Sequence, residues 1–380
     1  MGRPRAAALL FCVVLAACTG TGDDEARPAR STDPGTTSPS SPASATPTTV
    51  APVTVPPTTG PPTTGPPSVA PSPGPAWPRA TRDAAPPALG AVETTKVAAR
   101  SDGGTLAAGL VLPRVGGTAA APTVLTPCGR RSTLRAADVK AIPPSAGGSL
   151  PRRPGDVLVV IDPGHGGRAG GTHAPDGTPE KLRVLEIARE VRRSLAGRVG
   201  RVVFTRDRDM DATLPFRVAL ADALRADVAV SVHLNAEPDV KRGATPGLET
   251  YASIAEPTGR RLAGVLYAHQ RAYLDTLGGP WARDRDAGAK YRLGSDGRDY
   301  YGLLRRSHRP MAISESMFLS EPREASLVAR ADVRAGLGKA IADGIVAFTT
   351  ARDPGSGWVT PYPRAADPGG GGSTCVDPAR

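Results

Sequence analysis

The 380-residue chain is poor in aromatic side chains, which make up 4% of it, and it holds only four Cys and four Met. Its one long apolar stretch, Ala6 to Ala17, is too short to be comfortable as a bilayer-spanning helix. There is no dense basic run and no aromatic platform interleaved with basic residues, although the formal net charge is +11. Arg greatly outnumbers Lys, but the Arg residues are scattered through helices and loops. Nucleic acid is therefore not expected as a partner. A positive surface still favours polyanions by summed charge.

The first eighteen residues carry an address. Arg3 and Arg5 precede the apolar stretch, which ends in Leu15-Ala16-Ala17-Cys18. Small residues before such a Cys resemble a bacterial lipobox. That resemblance implies a signal peptide at 1–17, cleavage before Cys18, and membrane attachment through a lipid on its sulfur. The mature protein would then be extracytoplasmic. Cys12 leaves with the signal peptide. Cys128 and Cys375 remain, in an oxidising setting where a disulfide is expected, two free thiols being the alternative. They bracket the central region, and neither lies near the candidate site in sequence, so the chemistry is expected to survive loss of the bridge.

Residues 18–90 are dominated by Pro, Thr, Ser, Ala and Gly, with Pro-Pro-Thr-Thr-Gly at 56–60 repeated at 61–65. Such a segment has too little apolar surface to offset the entropy of folding, so a disordered tether is expected. Fully extended it could reach on the order of 200 Å. Residues 91–154 form a lead-in with short candidate strands at Leu110–Pro113 and Thr123–Leu125. A small β-subdomain and a partly ordered segment are both open for it. Residues 155–352 read as one α/β domain. Its elements are buried strands at Val157–Ile161, Val202–Phe204, Val228–Val232, Leu248–Ala252 and Met311–Ile313, alternating with helices at 180–196, 215–225, 258–275 and 331–349. That alternation predicts a single, mostly parallel twisted sheet with helices on both faces. The tail from 353 to 380 is Gly- and Pro-rich and reads as loose.

Two His residues stand at predicted strand ends. His165 lies in Asp162-Pro163-Gly164-His165-Gly166-Gly167, and His233 in Ser231-Val232-His233-Leu234-Asn235-Ala236. In open α/β sheets functional groups gather outside the carboxyl ends of strands. Two neutral imidazoles with a third N or O ligand and one open position suit catalytic zinc. Glu180, at a helix start beside the Gly-rich loop, is the candidate third ligand, with Glu186 and Glu190 as competitors on the same helix. Glu315 ends the apolar run Met311-Ala312-Ile313-Ser314, where a carboxylate would be costly if buried without a partner. His173 is a weaker candidate ligand, in a loop. His269 and His308 read as surface residues. Asn235 and Arg217 read as holding the active strand and its helix in place. The connection 253–309 is long, and either a lid or a substrate-binding wall would account for it.

These residues together resemble the zinc amidases of the N-acetylmuramoyl-L-alanine amidase type 3 family. The matching blocks are Asp162 to Gly167, Glu180-Lys181, Thr205-Arg206-Asp207, Ser231 to Ala236 and Glu315-Ser316-Met317-Phe318-Leu319-Ser320, in the family's order. Leu182, Val184, Ser316-Met317 and Glu321 depart from the family's usual residues, which bears on substrate detail and rate. The resemblance implies one Zn2+ held by His165, Glu180 and His233, and Glu315 as the carboxylate that handles the proton of a zinc-activated water. The implied reaction is cleavage of the amide between N-acetylmuramic acid and L-alanine in peptidoglycan. Anionic wall polymers are then a candidate partner for the positive surface. A catalytically weak peptidoglycan-binding lipoprotein of the same fold and a zinc peptidase on the stem peptide are the alternatives.

Overall fold

The computed structural model describes residues 74–236, 247–278, 287–361 and 374–379. The expected signal peptide, Cys18 and most of the expected tether lie outside the described residues. The last part of that tether, 74–90, is seated on the domain. Trp77 meets the Tyr291 ring edge-on at 5.4 Å, Arg82 donates to the carbonyl of Leu304 at 3.1 Å, and the Gly90 amide to that of Ala223 at 2.8 Å.

The lead-in folds into strands β1 (Ala91–Thr94), β2 (Ala98–Ala99), β3 (Thr105–Leu106), β4 (Val111–Gly117), β5 (Pro122–Leu125), β6 (Arg131–Thr133) and β7 (Val139–Ile142). Five of them form an antiparallel sheet in the order β6-β5-β4-β1-β7. β2 and β3 make a separate short ribbon. The buried side of the sheet gathers Leu106, Leu112, Val124 and Leu134, and it is closed by Met210 and Phe216 from the larger domain.

The larger domain runs β8 (Leu158–Pro163), α1 (Glu180–Leu195), β9 (Arg201–Phe204), α2 (Leu214–Ala223), β10 (Val228–Asn235), β11 (Glu249–Ala252), α3 (Pro257–Thr276), β12 (Gly288–Lys290), α4 (Gly302–Arg306), β13 (Met311–Phe318), α5 (Pro322–Ala329) and α6 (Ala331–Thr350). Its six strands lie in the order β12-β11-β13-β10-β8-β9. Four pairings are parallel and one, β11 with β13, is antiparallel.

The alternation of side chains along β8 and β10 builds two cores. Val159, Ile161, Val228, Val230 and Val232 face α1, α3 and α6. Leu158, Val160 and Ala229 face α2 and α4. Strands covered on both faces have no solvent side to mark with polar residues, so they read as apolar runs. Each fully buried aliphatic side chain contributes about 1.5–3 kcal/mol. In α1 the buried Val184, Ile187, Ala188, Val191 and Leu195 recur at helical spacing. The helix starts directly after Pro179 and stops before Gly197, which has φ +73°.

Two expectations need correction. Glu315 does not end its strand: β13 continues to Phe318 with every residue buried. The hydroxyls of Ser314 and Ser316 both donate to the side-chain oxygen of Gln270 in α3, at 2.9 and 2.8 Å, so both hydroxyls of this buried polar run are satisfied. The end of the tail is also not loose. Cys375 is bonded to Cys128, and Asp377 is buried. Nearer the domain, Trp358 pairs with Ala289 beside β12.

Candidate metal centre

His165 follows β8, His233 lies in β10, and Glu180 opens α1. The two strands are adjacent and parallel, so both His residues leave the sheet at the same edge. The Glu180 carboxylate sits between the rings. Oε2 is 3.0 Å from Nε2 of His165 and Oε1 is 3.1 Å from Nδ1 of His233. Backbone N–H groups also hold it, Leu234 donating to Oε1 at 2.9 Å and Thr172 to Oε2 at 3.1 Å. The rings stand edge-on, with centroids 4.8 Å apart. One ligand atom from each of the three residues lies within 4.8 Å of the others, the spacing of a metal site.

Glycine makes this approach feasible. A Cβ on Gly164 would sit 2.2 Å from the His233 ring, and one on Gly171 would sit 2.4 Å from Glu180 Oε2. His165 itself has φ +58°, a left-handed conformation that costs a non-glycine residue about 1–2 kcal/mol. Arginine anchors hold the loop there. Arg206 donates to the carbonyls of Pro163 and Gly164 at 2.9 and 2.6 Å. Arg217 donates to Pro163 at 2.8 Å and to the carbonyl of His165. Arg217 also pairs with the buried Asp162, which accepts from Ser231 at 2.6 Å and from Thr205.

The electrostatics suit cation binding. Burial, above all, pushes the His165 imidazole toward its neutral form, and repulsion from His233 adds to that against the pull of Glu180. Burial works to raise Glu180, but hydrogen bonds and charge from both His residues outweigh it and keep the carboxylate ionised. Glu315 is paired in register with His233 across β10 and β13. Its Oε2 is buried with no hydrogen-bond partner among the described residues. Burial first, then repulsion from Glu180 and Glu249, holds its proton affinity well above the usual carboxylate range.

The other sequence candidates separate from the site. Glu186 pairs with Arg183 and Arg334, and Glu190 with Arg193. His173 bridges to Pro179 and stays out of the cluster. His269 and His308 are half-buried, each beside an aspartate, Asp353 and Asp222. Asn235 donates to Glu249 at 2.7 Å. The segment 253–309 supplies α3, β12 and α4 to the fold, with 279–286 outside the described residues. Sequence reasoning missed the buried Glu249–Lys290 pair at 3.1 Å and the loop-holding work of Arg206. Arg206 was visible only as part of a quoted block.

Residues 159–347 match the family model described as N-acetylmuramoyl-L-alanine amidase. Through this domain the chain belongs to that family. The amidase AmiC of Neisseria meningitidis is 31% identical over 220 residues, 51% of this chain and 52% of that protein. The endolysin of Bacillus phage SPP1 is 33% identical over 193 residues, 50% of this chain and 64% of that protein. The chain thus spans between half and two thirds of the length of these two relatives. Among solved structures, amidase AmiC2 of Nostoc punctiforme is 29% identical, covers 50% of this chain and 96% of that one, and gives a TM-score of 0.43.

Proposed function

We propose that this protein is a lipid-anchored, zinc-dependent amidase that hydrolyses the bond between the lactyl carboxyl of N-acetylmuramic acid and L-alanine in peptidoglycan. One observation carries the reading: His165, Glu180 and His233 meet beside the buried, unpartnered Oε2 of Glu315. The donor set fits zinc, with two imidazoles and one carboxylate leaving a position open. His165 is held neutral and Glu180 ionised, the states in which each can be a ligand. Bound there, the metal supplies Lewis acidity toward the scissile carbonyl and toward water.

The chain's own groups do the rest. Glu315 takes a proton from the attacking water at Oε2 and returns it to the leaving amide nitrogen. The products are a free lactyl carboxylate and a peptide that starts with L-alanine. Arg206 and Arg217 keep His165 in place by fixing the carbonyls around it. Cys18 anchors the chain outside the cytoplasmic membrane, and the positive surface draws it to anionic wall polymers.

The test is digestion of purified peptidoglycan by the zinc-loaded protein, followed by mass analysis of the new ends. New lactyl carboxylates and L-alanine amino termini, abolished by chelation, are expected. Cuts within the stem peptide would make it a peptidase, and binding without cuts a wall-binding protein. Either result overturns the proposal.

A further inference from the structure

The loop that carries His165 is gripped on its outer side by the far end of the chain. Asp211, buried in the connection between β9 and α2, uses both carboxylate oxygens. Oδ1 accepts from the backbone N–H of Arg168 at 2.9 Å, and Oδ2 from that of Val376 at 3.0 Å. The fit is close, since a Cβ on Gly167 would sit 2.3 Å from Asp211 Oδ1. The Arg168 guanidinium reaches along the same segment and donates to Thr374 Oγ1 at 2.6 Å.

That segment is fastened on its other side to the small sheet. Cys375 is bonded to Cys128. Asp377 accepts from the Cys128 backbone N–H at 2.8 Å and pairs with Arg100 at 3.0 Å. Thr213, two residues after Asp211, donates its backbone N–H to the carbonyl of Pro127 at 2.9 Å, which closes the ring. The bridge is remote from the site in sequence and close to its loop in space.

We infer that Asp211 and the Cys128–Cys375 bridge form a latch that fixes the His165 loop in its metal-binding shape, with Asp211 as the positioning residue. The inference rests on His165 being a metal ligand. A left-handed His persists only where its surroundings over-determine it. Arg206 and Arg217 fix the inner side of the loop through its carbonyls, and Asp211 fixes the outer side through an N–H. Val376 is 53% exposed, so its side chain adds little apolar burial, and the segment is held by the disulfide together with the polar contacts of Asp377, Thr374 and the Val376 N–H. Groups that orient a ligand typically change metal affinity about 10–100-fold when removed.

The experiment is Zn2+ competition with a chromophoric chelator on the folded protein, read at equilibrium. The Cys128→Ser/Cys375→Ser pair is chosen over chemical reduction because free thiols would themselves bind zinc. Both that variant and Asp211→Ala are expected to weaken zinc binding by about 10–100-fold. Asp211→Asn, which keeps one acceptor, should fall between. Combining Asp211→Ala with the Ser pair should cost less than the sum of the two, because both loosen the same link between Arg168 and the 374–376 segment. Asp211→Ala keeps the bridge, so it reports even if the Ser variant folds poorly. Wild-type zinc affinity in Asp211→Ala, or in a folded Ser variant, overturns the latch. Failure of the unmodified protein to bind zinc, or undiminished binding by His165→Ala, would instead reject the metal reading beneath it.

Discussion

Arg217 joins the core to the site. Its guanidinium pairs with Asp162, donates to the carbonyls of Ala212 and Pro163, and reaches the carbonyl of the left-handed His165. Both members of the ion pair are buried. Removing one partner of such a pair leaves a buried charge unmatched, at a cost of about 3–5 kcal/mol. Arg217→Ala should therefore lower unfolding stability by about that amount in urea titration, and Lys should not restore it, because the planar fork is lost. A loss under about 1 kcal/mol would show that Asp162 finds another partner. At the neighbouring residues the expected effects separate. His165→Ala and His233→Ala should lose bound zinc, as measured by metal analysis. Glu315→Gln should keep the metal and lose hydrolysis by about 10²–10⁴-fold, since an amide cannot accept the proton. Wild-type turnover in Glu315→Gln would transfer the proton to another group.

At the scale of elements, legibility followed burial. β8 and β10 were legible because strands buried on both faces are apolar runs, and the ends of those runs placed His165 and His233. β13 was legible only to Ile313. Its continuation, Ser314-Glu315-Ser316, is polar, and Glu315 reads as the strand's end until α3 supplies Gln270 as the acceptor for both hydroxyls. β12 has three residues, one of them Gly, and is held by β11 on one side and by the segment around Trp358 on the other, so no local pattern announces it. The junction of β13 with α5 adds a pH dependence. Glu324 is buried, accepts from the backbone N–H of Phe318 at 2.6 Å, and leaves Oε1 without a partner among the described residues. Burial pushes its pKa up from 4.5 to about 8. The folded protein then keeps a proton that the unfolded chain releases above pH 4.5. The stability tied to that proton is full below pH 4.5 and is lost as pH rises toward 8, with a slope of at most about 1.4 kcal/mol per unit. Glu324→Gln retains an acceptor for Phe318 and does not titrate. Its stability advantage over the unmodified protein should therefore widen from pH 5 to pH 8 in urea midpoints. A gap that stays constant with pH would mean that Glu324 is already ionised in the fold.

For the whole molecule, the question is how a domain proposed to cut a wall polymer would be kept at the wall. Among the described residues no helix is long and apolar enough to cross a membrane. The apolar stretch before Cys18 would form a helix of roughly 18 Å, against a hydrocarbon core of about 30 Å. The proposed lipid on Cys18 would supply the attachment. Acyl chains contribute about 0.8 kcal/mol per buried CH₂, and stable anchoring takes two of them or one with a further signal. A Pro/Thr-rich tether on such an anchor would give the domain reach into the wall without a second membrane contact. Cys18→Ala removes the lipid while leaving residues 74–379 and their site unaltered. Cell fractionation should show the variant leaving the membrane fraction for the medium or accumulating unprocessed. Any mature material recovered should digest purified peptidoglycan in solution as the lipidated protein does, because the anchor sets location and not chemistry. Unchanged membrane retention would reject Cys18 as the anchor, and loss of solution activity in the released protein would show that the tether end takes part in the site.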